Sequence, residues 1–290
     1  MTAKPIVVGT DGSLEALQAV GWAAREAKLR GTSLRIVSAT EILPRMTPPP
    51  RATDIETVAA VLRRNRDQAL IDAADTAEDI APGVRIETEA LEGAPAYAVT
   101  DAGADALMLA VGSRGASAFA AMTVGSVGRY AAIHAHCPVV VVRDVAMAAH
   151  RQVVIGIRDP HDCDAAIGFA FEEAALRNAS LVAVHAWHAP LMSGRQAPDS
   201  VLSPSPDEVH ENVKRQLADQ LSTWTDKYPQ VEFGLDVVQG HPGRVLAGLS
   251  ARADLVVLGR HAAHARPGTS RVIHAVLAHA HGPVVVIPSA

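Results

Sequence analysis

A chain of 290 residues, 49% hydrophobic and 20% charged, has the length for two ordinary domains and the composition of a folded protein, which excludes a disordered chain. A formal net charge of −5 argues against a generic nucleic-acid binder, and no apolar run is long enough to cross a bilayer. Two cysteines in different halves, Cys137 and Cys163, make neither a disulfide framework nor a cysteine-based zinc site, and with aromatics at 3% the core must be built from Ala, Val, Leu and Ile.

The opening residues Met1-Thr2-Ala3-Lys4-Pro5 run directly into a β-branched strand over 5–10 and lack signal-peptide anatomy, so a reducing cytoplasm is expected. A helix follows over 13–30, with Gly31 placed to end it, and then a second strand over 33–39. Residues 44–50 are proline-rich and read as a loop. A long helix over 54–80, a strand over 84–90 and a short helix over 95–103 come next. The apolar run 107–111 reads as a strand, followed by a glycine-bearing loop, a helix over 126–136 and a final strand over 139–142.

The second half repeats the first. Residues 6–39 align without gaps on 153–186 with 13 of 34 positions identical, including Gly9 on Gly156, Glu26-Ala27 on Glu173-Ala174 and Leu29-Arg30 on Leu176-Arg177. The closing segment His134-Ala135-His136-Cys137-Pro138-Val139-Val140-Val141 matches His279-Ala280-His281-Gly282-Pro283-Val284-Val285-Val286. The chain is a tandem duplication, with domains over 1–144 and 151–290 and a loop over 190–206 in place of the first proline-rich stretch. Continuously apolar strands are those buried on both faces of a parallel sheet, so each copy is expected to be an open five-stranded α/β unit. Such folds bind ligands beyond the carboxyl ends of their strands.

Two segments leave carboxyl ends in the first copy: Gly9-Thr10-Asp11-Gly12, and Gly112-Ser113-Arg114-Gly115 with Gly125-Ser126 nine residues further on. Glycines let backbone approach a ligand, and a helix start offers free N–H groups to an anion such as a phosphate. Gly125, Ser126 and Val127 would supply those amides. Ser113 and Arg114 would face the ligand, although Arg114 reads equally as a solvated loop residue. Asp11 could bind ribose hydroxyls or, with Ser13, form a turn that caps the first helix.

The spacing Gly-x2-Gly-x9-Gly-Ser, the strand end Val8-Gly9-Thr10-Asp11-Gly12-Ser13 and the closing His136-Cys137-Pro138-Val139-Val140-Val141 together resemble the universal stress protein (UspA-like) family in its tandem-domain form, over nearly the whole chain. The resemblance implies two Rossmann-like domains of the adenine nucleotide alpha hydrolase-like type and ATP, with or without Mg2+, held by the motif. It sets Gly9 and Asp11 against the nucleotide and Val37 against adenine. It further implies a regulatory stress-response protein with little or no catalysis, domains that pair through their last strands, and a homodimer. The alternatives are a slow ATPase and a nucleotide-independent dimeric scaffold.

The second copy departs from the motif. Arg158 stands where the first has Asp11, and Asp159-Pro160 replaces Gly12-Ser13. The loop Gly259-Arg260-His261-Ala262-Ala263-His264-Ala265-Arg266-Pro267-Gly268-Thr269-Ser270 is two residues shorter and lacks the second and third motif glycines at their spacing. One nucleotide per chain, in the first half, is therefore expected. Of the 13 histidines, the pairs His134/His136 and His279/His281 recur at matching repeat positions, which suggests structure, not a metal. There is no Gly-x4-Gly-Lys-Ser/Thr loop, no Ser-Gly-Gly-x-Asp or His-Ile-Gly-His signature and no Gly-x-Ser-x-Gly elbow, so the residues name no catalytic group.

Overall fold

In a computed structural model, residues 3–41, 52–115, 124–143, 149–158, 164–187, 206–260 and 269–289 are described. The two proline-bearing loop segments over 44–50 and 190–205 and the central part of the glycine loop, 116–123, lie outside them, as do Asp159, Pro160, Cys163, His261 and His264.

The first half runs β1 (Ile6–Gly9), α1 (Leu14–Arg30), β2 (Leu34–Thr40), α2 (Ala52–Ile80), β3 (Ile86–Glu92), α3 (Pro95–Ala102), β4 (Met108–Gly112), α4 (Ser126–His134) and β5 (Val139–Val142). The second half repeats it as β6 (Gln152–Gly156), α5 (Asp164–Arg177), β7 (Ser180–Trp187), α6 (Pro206–Lys227), β8 (Phe233–Gln239), α7 (Pro242–Leu249), β9 (Leu255–Gly259), α8 (Thr269–His279) and β10 (Val284–Ile287). Each half is a five-stranded parallel sheet, as the apolar strands require, and the halves join into one ten-stranded sheet of order β3-β2-β1-β4-β5-β10-β9-β6-β7-β8.

The join is antiparallel, with Val141 opposite Val284, Val140 opposite Val285 and Val139 opposite Val286. Both strands are valine-rich and buried throughout, because each is covered on two faces. Alternate residues feed two core layers. Ile6 and Val8 belong to the layer under α1, α2, α5 and α6, whereas Val7 belongs to the layer under α3, α4, α7 and α8. Not every strand is uniformly apolar. β3 reads Ile-Glu-Thr-Glu-Ala-Leu-Glu and is largely exposed, since an edge strand contacts one neighbour and gains solubility from charge. It also starts two residues later than the sequence suggests, after a turn in which Gly83 adopts φ +84°.

Local signals set α1 as expected. Ser13 is the N-cap and its hydroxyl accepts the Ala16 N–H at 3.3 Å. Gly31 takes φ +63° and closes the helix. α4 stops at His134, because Ala135 is already extended ahead of Cys137-Pro138.

Two sets of charges lock the halves together. Glu26 and Arg30 of α1 face Glu173 and Arg177 of α5. Arg30 Nε lies 2.5 Å from Glu26 and Arg177 Nη2 lies 2.5 Å from Glu26, and both guanidiniums also donate to Glu173. These are the same two positions of the repeat, so each domain offers its Glu and Arg to the other's. The second set caps helix ends. Arg260 donates to Ile133 O and, at 2.8 Å, to Ala135 O at the end of α4, while Arg143 donates to Ala278 O and Ala280 O at 3.2 Å each at the end of α8. A cation at a helix C-terminus meets the negative end of its dipole. Arg260→Ala is expected to cost about 2 kcal/mol, the usual worth of hydrogen bonds from a charged donor, read as a lower midpoint in urea unfolding.

Candidate functional site

The carboxyl ends of β1 and β4 are adjacent, with Gly9 opposite Val111, so the two loops of the motif meet in one cleft. Its volume is about 390 Å3, within the range of small-ligand sites. Of the residues singled out from the sequence, Gly9, Asp11, Gly112, Arg114, Gly115, Gly125, Ser126 and Val127 line it.

Asp11 sits at the mouth and is exposed. Its Oδ1 accepts the Ser13 N–H at 3.1 Å and the Ser13 hydroxyl at 2.6 Å. The turn-and-cap reading and the ligand reading are thus compatible: one oxygen shapes the turn while the other lies across the cleft against Gly115. A Cβ on Gly115 would stand 2.6 Å from Asp11 Oδ2, so only glycine leaves the carboxylate in place. Arg114 lies at the rim, 44% exposed, with its Nε 3.4 Å from Glu15.

At the far wall α4 begins with Gly125 as N-cap, whose lack of a side chain leaves the first turn without a side-chain acceptor. The Gly125 N–H itself is spent on Ser113 O at 2.8 Å, which ties the two ends of the glycine loop together. The Gly125 amide is therefore not among the donors that the start of α4 offers the cleft. The other motif glycine, Gly112, serves packing: a Cβ there would come within 2.8 Å of Glu15 O and 3.0 Å of Ala16 N, so its absence lets the start of α1 settle on β4. Gly9 similarly leaves room for Val99, whose Cγ1 would be 2.8 Å from a Cβ.

Two expected contacts fall elsewhere. Ser113 is buried at 2% exposure, and its N–H is bonded to Val142 O, so it braces β4 and the loop and does not line the cleft. Val37 is fully buried in the core layer beneath α3 and α4, and the β2 residue on the cleft wall is Ala39, two positions further along the same face. Thr10, within the first segment, lines it too, and Ala16, Pro95, Val99, Val111 and Gly128, which the sequence does not single out as contacts, complete the lining. Gly128 had a signal, lying one turn into the helix that Gly125-Ser126 open. Pro95 and Val99 of α3 had none, since only the sheet order brings α3 over β1.

The second copy keeps the scaffold and changes the chemistry. Gly156 makes the same allowance for Leu246 that Gly9 makes for Val99, a Cβ lying 2.7 Å from its Cδ1. In the place of Asp11 stands Arg158, exposed. In the place of Ser113 stands Arg260, which is turned to the domain junction and caps α4. Among the described residues no three His, Cys, Asp or Glu side chains converge as a metal site, and no helix is long and apolar enough to cross a membrane. Burial pushes the Cys137 thiol up to about 11, so it stays protonated at neutral pH and is not an activated nucleophile.

Comparison with known proteins bears on both halves. The model of the universal stress protein family matches residues 2–143 and again 149–288. A universal stress protein of Mycobacterium tuberculosis is 34% identical over 266 residues, covering 88% of this chain and 85% of its own length. One from Mycolicibacterium smegmatis is 32% identical over 262 residues, with 88% and 86% covered. Among solved structures, a universal stress protein from Archaeoglobus fulgidus superposes with a TM-score of 0.71 over 99% of both chains at 17% identity, a likeness of fold. The chain belongs to the universal stress protein family, in its tandem-domain form.

Proposed function

We propose that the N-terminal cleft binds ATP, one nucleotide per chain, and that the protein is a regulatory nucleotide binder of the stress response with little or no turnover. The observation that carries this reading is the opposition across one cleft of the uncapped start of α4 and the Asp11 carboxylate held against Gly115. The two ends suit opposite parts of a nucleotide. Ser126 and Val127 would give N–H groups, and Ser126 its hydroxyl, to phosphate oxygens, helped by the positive end of the helix dipole. Asp11, an acceptor, would take the ribose hydroxyls through the oxygen facing Gly115. Ala39, Pro95 and Val99 form the apolar wall against which a base would lie. Any Mg2+ would come on the phosphates.

Little or no turnover is part of this proposal, and an ATP hydrolysis assay of the purified protein checks it. The C-terminal half would contribute to stability and to the shape of the whole, Arg158 and Arg260 having replaced the groups that a ribose and the loop require. Because β5 and β10 already pair inside the chain, a homodimer would use another surface.

The direct test is to purify the protein, denature it by heat and assay the supernatant for adenine nucleotide. Adenine nucleotide near one equivalent is expected, together with a rise in melting temperature on adding ATP. An empty supernatant with no thermal shift would instead favour a nucleotide-independent scaffold.

A further inference from the structure

A larger cavity lies away from this cleft. It runs along the seam where α1 of the first domain meets α5 and the start of β6 in the second, and its volume is about 820 Å3. Trp22 and Leu29 give it apolar wall, and Leu29 is 43% exposed there. Arg25, Arg151 and Arg177 supply three guanidiniums to the same lining, with His150 and His281 beside them.

The charges in this groove are not those that the duplication would supply. At the position equivalent to Arg25 the second domain has Glu172, which reaches across the seam to Arg30 at 3.4 Å. The pseudo-twofold would therefore put an acid at residue 25 to meet Arg177. The chain has an arginine instead, so the two sides of the seam carry opposite charge at equivalent places. Arg177 is already satisfied by Glu26 and Glu173. Arg25 and Arg151 make no ion pair among the described residues, and the one further acid in the lining, Asp254, accepts the His150 backbone N–H at 2.6 Å. Burial without a carboxylate lowers the pKa of Arg25.

Arg151 carries a second anomaly. Its backbone lies at φ +54°, a region that L-residues other than Asn and Asp seldom adopt, and the equivalent Lys4 has no such twist. Backbone strain of this kind at residues other than Gly, Asn and Asp is over-represented at functional sites.

We propose that the seam groove is a second ligand site, for a small organic anion bearing a phosphate or carboxylate on an apolar body, held by Arg25 and Arg151 with its body against Trp22 and Leu29. Guanidiniums present paired donors that match either head group, and they are weakly hydrated, so the exposed Arg25 and Arg151 can pair with one at the groove wall. The site joins both domains, so its ligand stabilises their packing.

The test titrates phenyl phosphate and, separately, benzoate into the full-length protein by calorimetry. Saturable uptake of one equivalent of at least one probe is expected, and the better probe identifies the head group. Arg25→Glu restores the acid of the pseudo-twofold, so it should weaken that binding at least tenfold while leaving the melting temperature equal or higher, since it gives Arg177 another partner. Asp11→Ala, in the other cleft, should leave the affinity unchanged. Absence of binding by either probe overturns the proposal, as does affinity that survives Arg25→Glu or is lost in Asp11→Ala.

Discussion

Glu173→Ala is expected to lower the stability of the folded chain by about 3–5 kcal/mol, the cost of removing one partner from a buried charge pair. Glu173 is 1% exposed and accepts from both Arg30 and Arg177, one from each domain. Its loss leaves two guanidiniums, 9% and 14% exposed, sharing Glu26, with only the longer contact of Arg30 to the exposed Glu172 besides. Urea unfolding read by circular dichroism measures the change, and a loss below about 1 kcal/mol would place this quartet with ordinary surface pairs. The same group sets a pH dependence. Burial, and then the neighbouring Glu26 charge, raises the Glu173 carboxyl from its ordinary 4.5 to about 7. The native protein therefore holds this proton more tightly than the unfolded chain does. Unfolding releases the proton between those two values, so stability falls as pH rises through that window. In Glu173→Gln this slope should disappear between pH 4.5 and 7.

Gly115→Ala and Gly112→Ala are expected to part company, and that contrast is the second large effect. Among the described residues a Cβ at Gly115 meets only the Asp11 carboxylate, at 2.6 Å, the end of an exposed side chain. Stability should change by less than about 1 kcal/mol, as for most surface substitutions. On the proposed reading ATP affinity should fall at least tenfold, because the displaced carboxylate would no longer face the ribose. A Cβ at Gly112 meets α1 backbone at 2.8–3.0 Å on three atoms, which cannot yield without shifting the helix. That substitution should cost about 1–3 kcal/mol, the range for overpacking. Melting curves and ATP titrations of the two variants separate these outcomes. Equal loss of melting temperature would mean that Gly115 also serves packing.

Much of this is legible in the sequence. Ser13 and Gly31 announce α1 through local chemistry, and both act as that chemistry dictates. The glycine spacing located the cleft because it encodes a backbone requirement at a strand end. What escaped depended on contacts between distant segments. Ser113 lies within the motif, yet its burial follows from the loop closing on Gly125 and from the pairing of β4 with β5. Val37 and Ala39 share a face of β2, and periodicity cannot say which of them reaches the cleft. Glu26 and Arg30 already stood out as matches to Glu173 and Arg177. The alignment could not show that identical positions face one another, since that needs the antiparallel pairing of β5 with β10. β3 is less apolar than the expected run of buried strands, because its place at the sheet edge is a property of strand order.

The decay of the second copy also gains a physical account. Arg260 does not merely interrupt a glycine loop; it fastens the second domain to the end of the helix whose other end opens on the first domain's cleft. The proposal of one nucleotide per chain rests in part on this exchange of a glycine loop for a domain clamp.

Calorimetric titration of nucleotide-free protein with ATP tests that claim most directly. The account predicts one site per chain, lost in Asp11→Ala and unchanged in Arg158→Ala. Two equivalent sites, or one site abolished by Arg158→Ala and indifferent to Asp11→Ala, would contradict it.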